Sequence, residues 1–262
     1  MLDTIKYINS KGEEVNFSSS PIFSSSKVLR EFMSKYKDGK ILDDTEVDIE
    51  LLVVMLCDST EKNKFFDILD YDTATEQIGR LYVNDWYVPC YFMGISKVEH
   101  DDDKSFKGSL EFCAPKMEFL KETTYVFRPN TGDSTGFNFP HNIPFNYSAK
   151  KASIVKINNS TASDADFIFQ FTGEVSFVEF SIGDVRYVIN SQVLTGEKFR
   201  IDTFKKQIYK TKDGEVVDLF GSADDETYAF TMIPPGAHPL SWRGEFAVEF
   251  TLIEHRRYPV WI

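Results

Sequence analysis

Cysteine is scarce in this 262-residue chain: Cys57, Cys90 and Cys113 stand far apart, with no CxxC spacing and no nearby histidine pair. An odd set of isolated thiols excludes a disulfide framework and reads as small buried hydrophobes in a reducing compartment. Basic charge is the second deficit. Lys and Arg number 29 against 41 Asp and Glu, a net charge of −12, and both halves of the chain are acidic. Such a balance lacks the electrostatic footprint of a nucleic-acid binder or of a polybasic membrane surface. The opening MLDTIKYINSKGEE has neither a basic n-region nor an apolar h-region, so no signal peptide is expected. The longest apolar run, Leu51 to Cys57, falls far short of the about 20 residues that span a bilayer. A soluble product of a cytoplasm is the expectation.

Motifs for catalysis and metal binding are missing as well. His100, His141, His238 and His255 are scattered, and no HExxH, HxH, GxSxG, GxGxxG or Walker loop occurs. Asp70, Asp72 and Glu76 imitate the start of a calcium loop but lack its glycine and terminal glutamate. Asp101-Asp102-Asp103 and Asp224-Asp225-Glu226 read as solvated turns; a charged hairpin tip also discourages edge-to-edge association. Asn16, Asn146, Asn158 and Asn159 open glycosylation sequons by chance, given no secretion signal. Many acid pairs are available for glycoside hydrolysis, yet nothing singles one out. No residue therefore receives a catalytic, cofactor-binding or metal role. No cofactor is expected, and the chain reads as no enzyme.

Aromatic residues are plentiful: 24 Phe and 12 Tyr bring the aromatic share to 15%, which favours sheets and interfaces. Residues 129–149, PNTGDSTGFNFPHNIPFNYSA, have linker chemistry and set a boundary near 130, dividing the chain into domains 1–130 and 131–262. Before it, Val47 to Cys57 reads as a strand buried on both faces. Asp58 offers a helix N-cap, and Phe65, Phe66, Ile68 and Leu69 mark an apolar stripe near 60–70. Leu81–Val83 with Trp86–Phe92, and Ile95–Glu99 with Ser105–Cys113, form two predicted hairpins. A further helix is predicted over 27–36 from Val28, Leu29, Phe32, Met33 and Tyr36.

After the boundary come short strands: Ser153–Ile157, Asp166–Thr172, Ser176–Ile182, Arg186–Ile189, Lys198–Asp202, Gln207–Lys210 and Val216–Leu219, then a last pair near Pro239–Trp242 and Glu245–Glu254. Turns at Gly183-Asp184 and Asp213-Gly214 punctuate them. The fold class is mainly β: a β domain with one clear helix, then an antiparallel β-sandwich. Trp242, Trp261 and Tyr258 are the candidates for a sugar-stacking platform, though ordinary packing is the commoner use of such residues.

Several segments together carry a resemblance. Gly79–Val83 running into Asn84-Asp85-Trp86-Tyr87-Val88-Pro89-Cys90-Tyr91-Phe92-Met93-Gly94 resembles the middle of the distal tail protein family of long-tailed, siphovirus-like bacteriophages. Phe137–Pro140 to Pro144–Tyr147 is similar to that family's inter-domain crossing. Phe167 to Tyr187, Ile201-Asp202-Thr203 to Gly214, Ile233–Gly236 and Glu249–Glu254 follow in the family's order and spacing. The resemblance implies an N-terminal domain that closes a homohexameric ring continuing the tail tube, and a C-terminal galectin-like β-sandwich. It further implies a baseplate hub at the distal end of the virion tail. The implied partners are the tail tube protein, the tape-measure end and the tail-tip or receptor-binding proteins, with no membrane. DNA would pass through the ring without specific binding, and acids in 43–50 and 99–103 are the first candidates to line that channel. The family suggests extended, ring-closing structure where the helix over 27–36 is predicted. The large insertion that carries sugar-binding modules in some relatives is missing, which argues against direct host binding. Two other readings compete: a carbohydrate-binding module acting in adsorption through the C-terminal sandwich, and a cell-wall hydrolase.

Overall fold

The computed structural model describes residues 3–24, 35–37, 40–42, 47–128, 152–224 and 228–260. They fall into two compact units, Met1–Lys121 with Arg256–Ile262, and Glu122–His255. The first unit runs through β1 (Ile5–Ile8), β2 (Glu14–Asn16), β3 (Ser18–Ser19), β4 (Ile22–Ser24), β5 (Lys35–Lys37) and β6 (Lys40–Leu42). It continues with β7 (Val47–Met55), α1 (Ser59–Ala74), β8 (Gly79–Val83), β9 (Trp86–Asp101) and β10 (Phe106–Ala114). β11 (Phe119–Phe127) then carries the chain into the second unit.

β9 organises the first unit. Its residues Trp86–Cys90 pair with β8, which pairs in turn with β1, and β1 with β2. Its residues Tyr91–Asp101 pair with β10, followed by β7, β4 and β3. Every pairing is antiparallel. One strand thus serves two sheet segments, and the side chains that alternate inward from both segments meet in a common core. Asn84-Asp85 forms the two-residue turn before β9, with Asn84 at φ 56, a left-handed conformation that asparagine tolerates. The two predicted hairpins share this single long strand.

β7 departs from expectation. Ile49, Leu51, Val53 and Met55 are buried, whereas Leu52 and Val54 are only half-buried, so a single face is sealed. The helix predicted near 60–70 is α1. Asp58 caps it by accepting from the Thr60 and Glu61 amides, both at 2.9 Å. Phe65 and Leu69 enter the core, while Phe66 and Ile68 pack at its margin. The helix predicted over 27–36 falls mostly outside the described residues; its end is instead β5, with Tyr36 opposite Ile41 of β6. The crossing at 129–149 also lies outside them.

Asp72, on the inner face of α1, is completely buried. Tyr7 Oη of β1 donates to its Oδ2 at 2.6 Å, and the Ser10 amide donates to its Oδ1 at 2.8 Å. Gly79, at the start of β8, leaves the room this needs. A Cβ there would sit 2.0 Å from Tyr7 Oη and 2.4 Å from Asp72 Oδ2. Through one carboxylate the helix is joined to β1 and to the turn that follows it.

The second unit contains β12 (Ala152–Asn159), β13 (Asp166–Thr172), β14 (Val178–Ile182), β15 (Val185–Ile189) and β16 (Lys198–Asp202). β17 (Gln207–Lys212), β18 (Glu215–Asp218), β19 (Gly236–Arg243) and β20 (Val248–Arg256) complete it. Two antiparallel sheets form, one ordered β18-β17-β16-β13-β20 with β11 beyond, the other β12-β19-β14-β15. Their inner faces meet in an aromatic core: Phe169 of β13 stacks on Phe180 of β14 at 4.0 Å, and Phe167 meets Tyr187 edge-on at 5.4 Å. This is the expected antiparallel sandwich, with two-residue turns at Gly183-Asp184 and Asp213-Gly214.

Replacing Tyr7 by Phe leaves the buried Asp72 carboxylate without its hydroxyl donor and is expected to cost the first unit about 2 kcal/mol in urea unfolding. Burial, then the Asp72 bond, pushes the Tyr7 phenol well above its ordinary 10.0. The unfolded chain therefore ionises first, and wild-type stability falls as pH rises above 10.0. Tyr7→Phe should flatten that alkaline limb; an unchanged transition and an unchanged limb would show that the bond contributes nothing.

Candidate functional site

The chemically equipped residues are dispersed by the fold. His100 lies exposed at the β9–β10 tip, its Nε2 2.9 Å from Asp102 Oδ2. His238 Nε2 lies 3.0 Å from the Pro234 carbonyl oxygen, and His141 is outside the described residues. His255 is buried, with Nε2 3.0 Å from Asp166 Oδ2. Thr203 completes that last cluster, but its hydroxyl donates to Asp166 Oδ1 at 2.7 Å while accepting from the Phe167 amide at 2.8 Å. These bonds tie β13 to the turn after β16.

Asp72 is the buried anchor of α1, and Glu76, at φ 54, is the left-handed residue that ends the helix. Among the described residues no group of three His, Cys, Asp or Glu side chains is placed to hold a metal ion. Cys57 and Cys90 are buried and Cys113 is half-buried; burial pushes the Cys57 and Cys90 thiols up. Trp242 is a core residue, 2% exposed, whose indole N–H donates to the Phe246 carbonyl at 3.3 Å. Tyr258 belongs to the first unit and Trp242 to the second, while Trp261 lies outside the described residues, so these three are not seen to form one platform.

Exposed apolar side chains and charged pairs gather along β9 and at the tip of the β7–β10–β9 sheet. β9 makes two register shifts against β10, between Lys107 and Ser109 and between Glu111 and Phe112. Lys97 at φ 49 and Gly94 at φ 139 occupy the bulged stretches. Bulges bend and twist a strand and turn side chains outward. Beyond Phe92 the strand exposes Met93 (62%), Ile95 and Val98, and Leu56 is exposed just after β7. Across the same sheet Glu50 pairs with Lys97 and accepts from Ser109 Oγ at 2.7 Å; both hold its carboxyl below the usual range. Ser96 in turn bonds Glu111.

Of the acids read as channel candidates, 43–46 lie outside the described residues and Asp48 is exposed near the start of β7. Glu99, Asp101, Asp102 and Asp103 are exposed around the tip. By cross-strand register Glu50 sits opposite Glu111 and Asp101 opposite Phe106. Five residues of β10 separate those levels, about 17 Å at the rise of a strand. Lysines accompany these acids: Lys62 of α1 pairs with Asp101 and donates to the Asp102 carbonyl, and Lys107 pairs with Glu99. The lysines, and the bulges that bring them in, were not foreseen from the sequence; a positive φ at a lysine leaves no residue signature.

No family model matches the sequence, and no curated protein matches it significantly. Solved structures do share the fold. A chain from the structure of the phage P2 baseplate in its activated conformation with Ca superposes with a TM-score of 0.64 at 12% identity, covering 99% of this chain and 100% of that one. The corresponding structure with Sr gives 0.62 at 13% identity. The SPP1 Dit (gp 19.1) protein, a paradigm of hub adsorption apparatus in Gram-positive infecting phages, gives 0.53 at 9% identity, covering 98% and 100% of the two chains. The chain has the fold of phage baseplate and hub proteins over essentially its whole length.

The tip supplies a titration. Asp102 Oδ1 accepts from the Lys104 and Ser105 amides at 2.8 and 2.7 Å. The Lys104 amide, then His100, then the Ser105 amide pull its pKa from 3.8 down to about 2. The stabilisation is present above 3.8 and is lost as pH falls through about 2. Carboxyl-detected NMR should place the Asp102 midpoint near the lower value; a midpoint near the ordinary one would mean that the turn is not held in solution.

Proposed function

We propose that the chain is a distal tail hub protein: a homohexameric, non-enzymatic ring at the distal end of a phage tail. The carrying observation is the full-length fold likeness to a phage P2 baseplate chain and to SPP1 Dit. In this reading residues 1–130 close the ring and continue the tail tube, meeting the tape-measure end. Residues 131–262, as a galectin-like sandwich, face outward and carry tail-tip or receptor-binding proteins. A closed ring needs a heterologous interface, two different patches on each copy. The exposed Met93, Ile95 and Val98 along β9 supply apolar area for one of them.

The acidity gains a role in this assembly. Six copies multiply a charge of −12 about one axis. A negative lining repels phosphate and lets DNA slide, the inverse of the basic groove that binds it.

Light scattering of the purified chain over a range of concentrations should give six times the single-chain mass. A monomer at every concentration, with and without the tail tube protein as template, would overturn the ring. In assembled particles Asp48→Lys and Asp103→Lys should slow genome ejection while leaving tails intact. Unchanged ejection kinetics would reject the charged channel and leave the ring standing.

A further inference from the structure

A groove of about 780 Å³ opens on the second unit where β14, β15 and β19 turn their outer faces to solvent. That volume lies in the range of small-molecule sites and admits one or two sugar rings. Its floor is a cross-strand row: Ser241 of β19 stands opposite Ser181 of β14, and Ser181 opposite Arg186 of β15. The two serine hydroxyls share one hydrogen bond at 2.7 Å, which leaves a hydroxyl hydrogen and several lone pairs unspent. In the adjacent row Glu179 holds two arginines. Arg186 reaches its Oε1 through Nε at 2.9 Å and through a terminal nitrogen at 2.7 Å, and Arg243 approaches Oε2 at 3.4 Å. The Arg243 guanidinium also lies over the Phe177 ring at 4.8 Å, which fixes its plane.

We infer that this groove is a binding site for a neutral carbohydrate, with the Arg186–Glu179–Arg243 bridge and the Ser181–Ser241 pair as its polar contacts. Three features select that ligand class. Vicinal hydroxyls each ask for a donor and an acceptor, and the bridge presents guanidinium N–H groups beside a carboxylate in a fixed arrangement. Glu245 lines the same groove, so its two arginines are balanced by two glutamates and no net charge recruits an anion. The overall charge of −12 acts further against anionic ligands. Apolar surface for the C–H face of a sugar is at hand in Phe177 and, one strand beyond Ser241, in the exposed Ile154.

The site goes beyond the hub reading and does not depend on it, since all its residues come from one copy. Saturation-transfer NMR on the full chain, with methyl glucoside, methyl galactoside, N-acetylglucosamine and rhamnose as probes, tests it. Glucuronate and glycerol phosphate serve as anionic comparators. At least one neutral probe should bind saturably with a Kd of about 1 mM, insensitive to salt. Arg243→Ala and Glu179→Gln should each weaken that binding about tenfold or more while near-UV circular dichroism stays unchanged, and Arg243→Lys should restore part of it. Absence of saturable binding by every neutral probe overturns the inference. So does stronger binding of the anions that collapses with added salt, which would make the groove an anion site. A chain that stays monomeric with and without the tail tube protein and still binds sugar would sink the ring and keep this site.

Discussion

The first unit depends on a carboxylate that has no access to water. Asp72 lies beneath α1, and its two oxygens are taken by the Tyr7 hydroxyl and the Ser10 amide. A buried charge costs several kcal/mol unless its hydrogen bonds are supplied, so α1 has one seating on β1 and a shifted helix would strand the carboxylate. Gly79 follows from the same constraint, because any side chain would strike the Tyr7–Asp72 pair. β8 begins at that glycine and sets the register for the first half of β9. The orientation of the long β9–β10 hairpin is therefore inherited from one buried bond. Its far end is held to the same helix by Lys62 and Asp101.

The second unit is organised by ring packing in place of a buried charge. Phe169 and Phe180, Phe171 and Phe246, and Phe180 and Tyr187 stack at 4.0, 3.9 and 4.6 Å. Rings from facing sheets fill the interlayer space and hold the outer faces at a fixed pitch. Side chains that alternate outward from β14, β15 and β19 then fall into register as the serine row and the arginine–glutamate bridge. A groove on one face of a sheet is thus the counterpart of aromatic packing on the other.

Much of this was legible in the sequence, for definite reasons. Alternation at Asp166–Thr172 and Lys198–Asp202 marked strands to the residue, and Asn84-Asp85 and Asp213-Gly214 marked two-residue turns. Asp58 announced α1 because capping needs only local residues. What escaped was non-local. Asp72 read only as part of an incomplete calcium loop with Asp70 and Glu76, since its Tyr7 partner lies 65 positions away. The bulges of β9 depend on how two strands share a sheet and have no composition of their own. The groove joins residues from Phe177 to Arg243, and no spacing rule links them. Tyr258 was grouped with Trp242, yet the chain's end returns to the first unit, where Arg256 lies over Trp86 and the Val260 carbonyl accepts from Asn84.

In the proposed ring the placement of charge reconciles an acidic chain with self-assembly. Unscreened, copies of charge −12 resist approach, most of all where acids crowd a protruding tip. Along the β7–β10–β9 sheet and at its tip the acids carry lysines of their own chain: Glu50 with Lys97, Asp101 with Lys62 of α1, Glu99 with Lys107. Exposed pairs of this kind add little to stability, since solvent screens them. Their effect here is to cancel the field at short range. Ile95 shares the sheet face of Leu110 and Leu51, opposite the face of Glu50 and Glu111, so an apolar contact there does not meet those carboxylates. The excess negative charge acts at longer range, where it would be felt by a polyanion in transit and not by a packed neighbour.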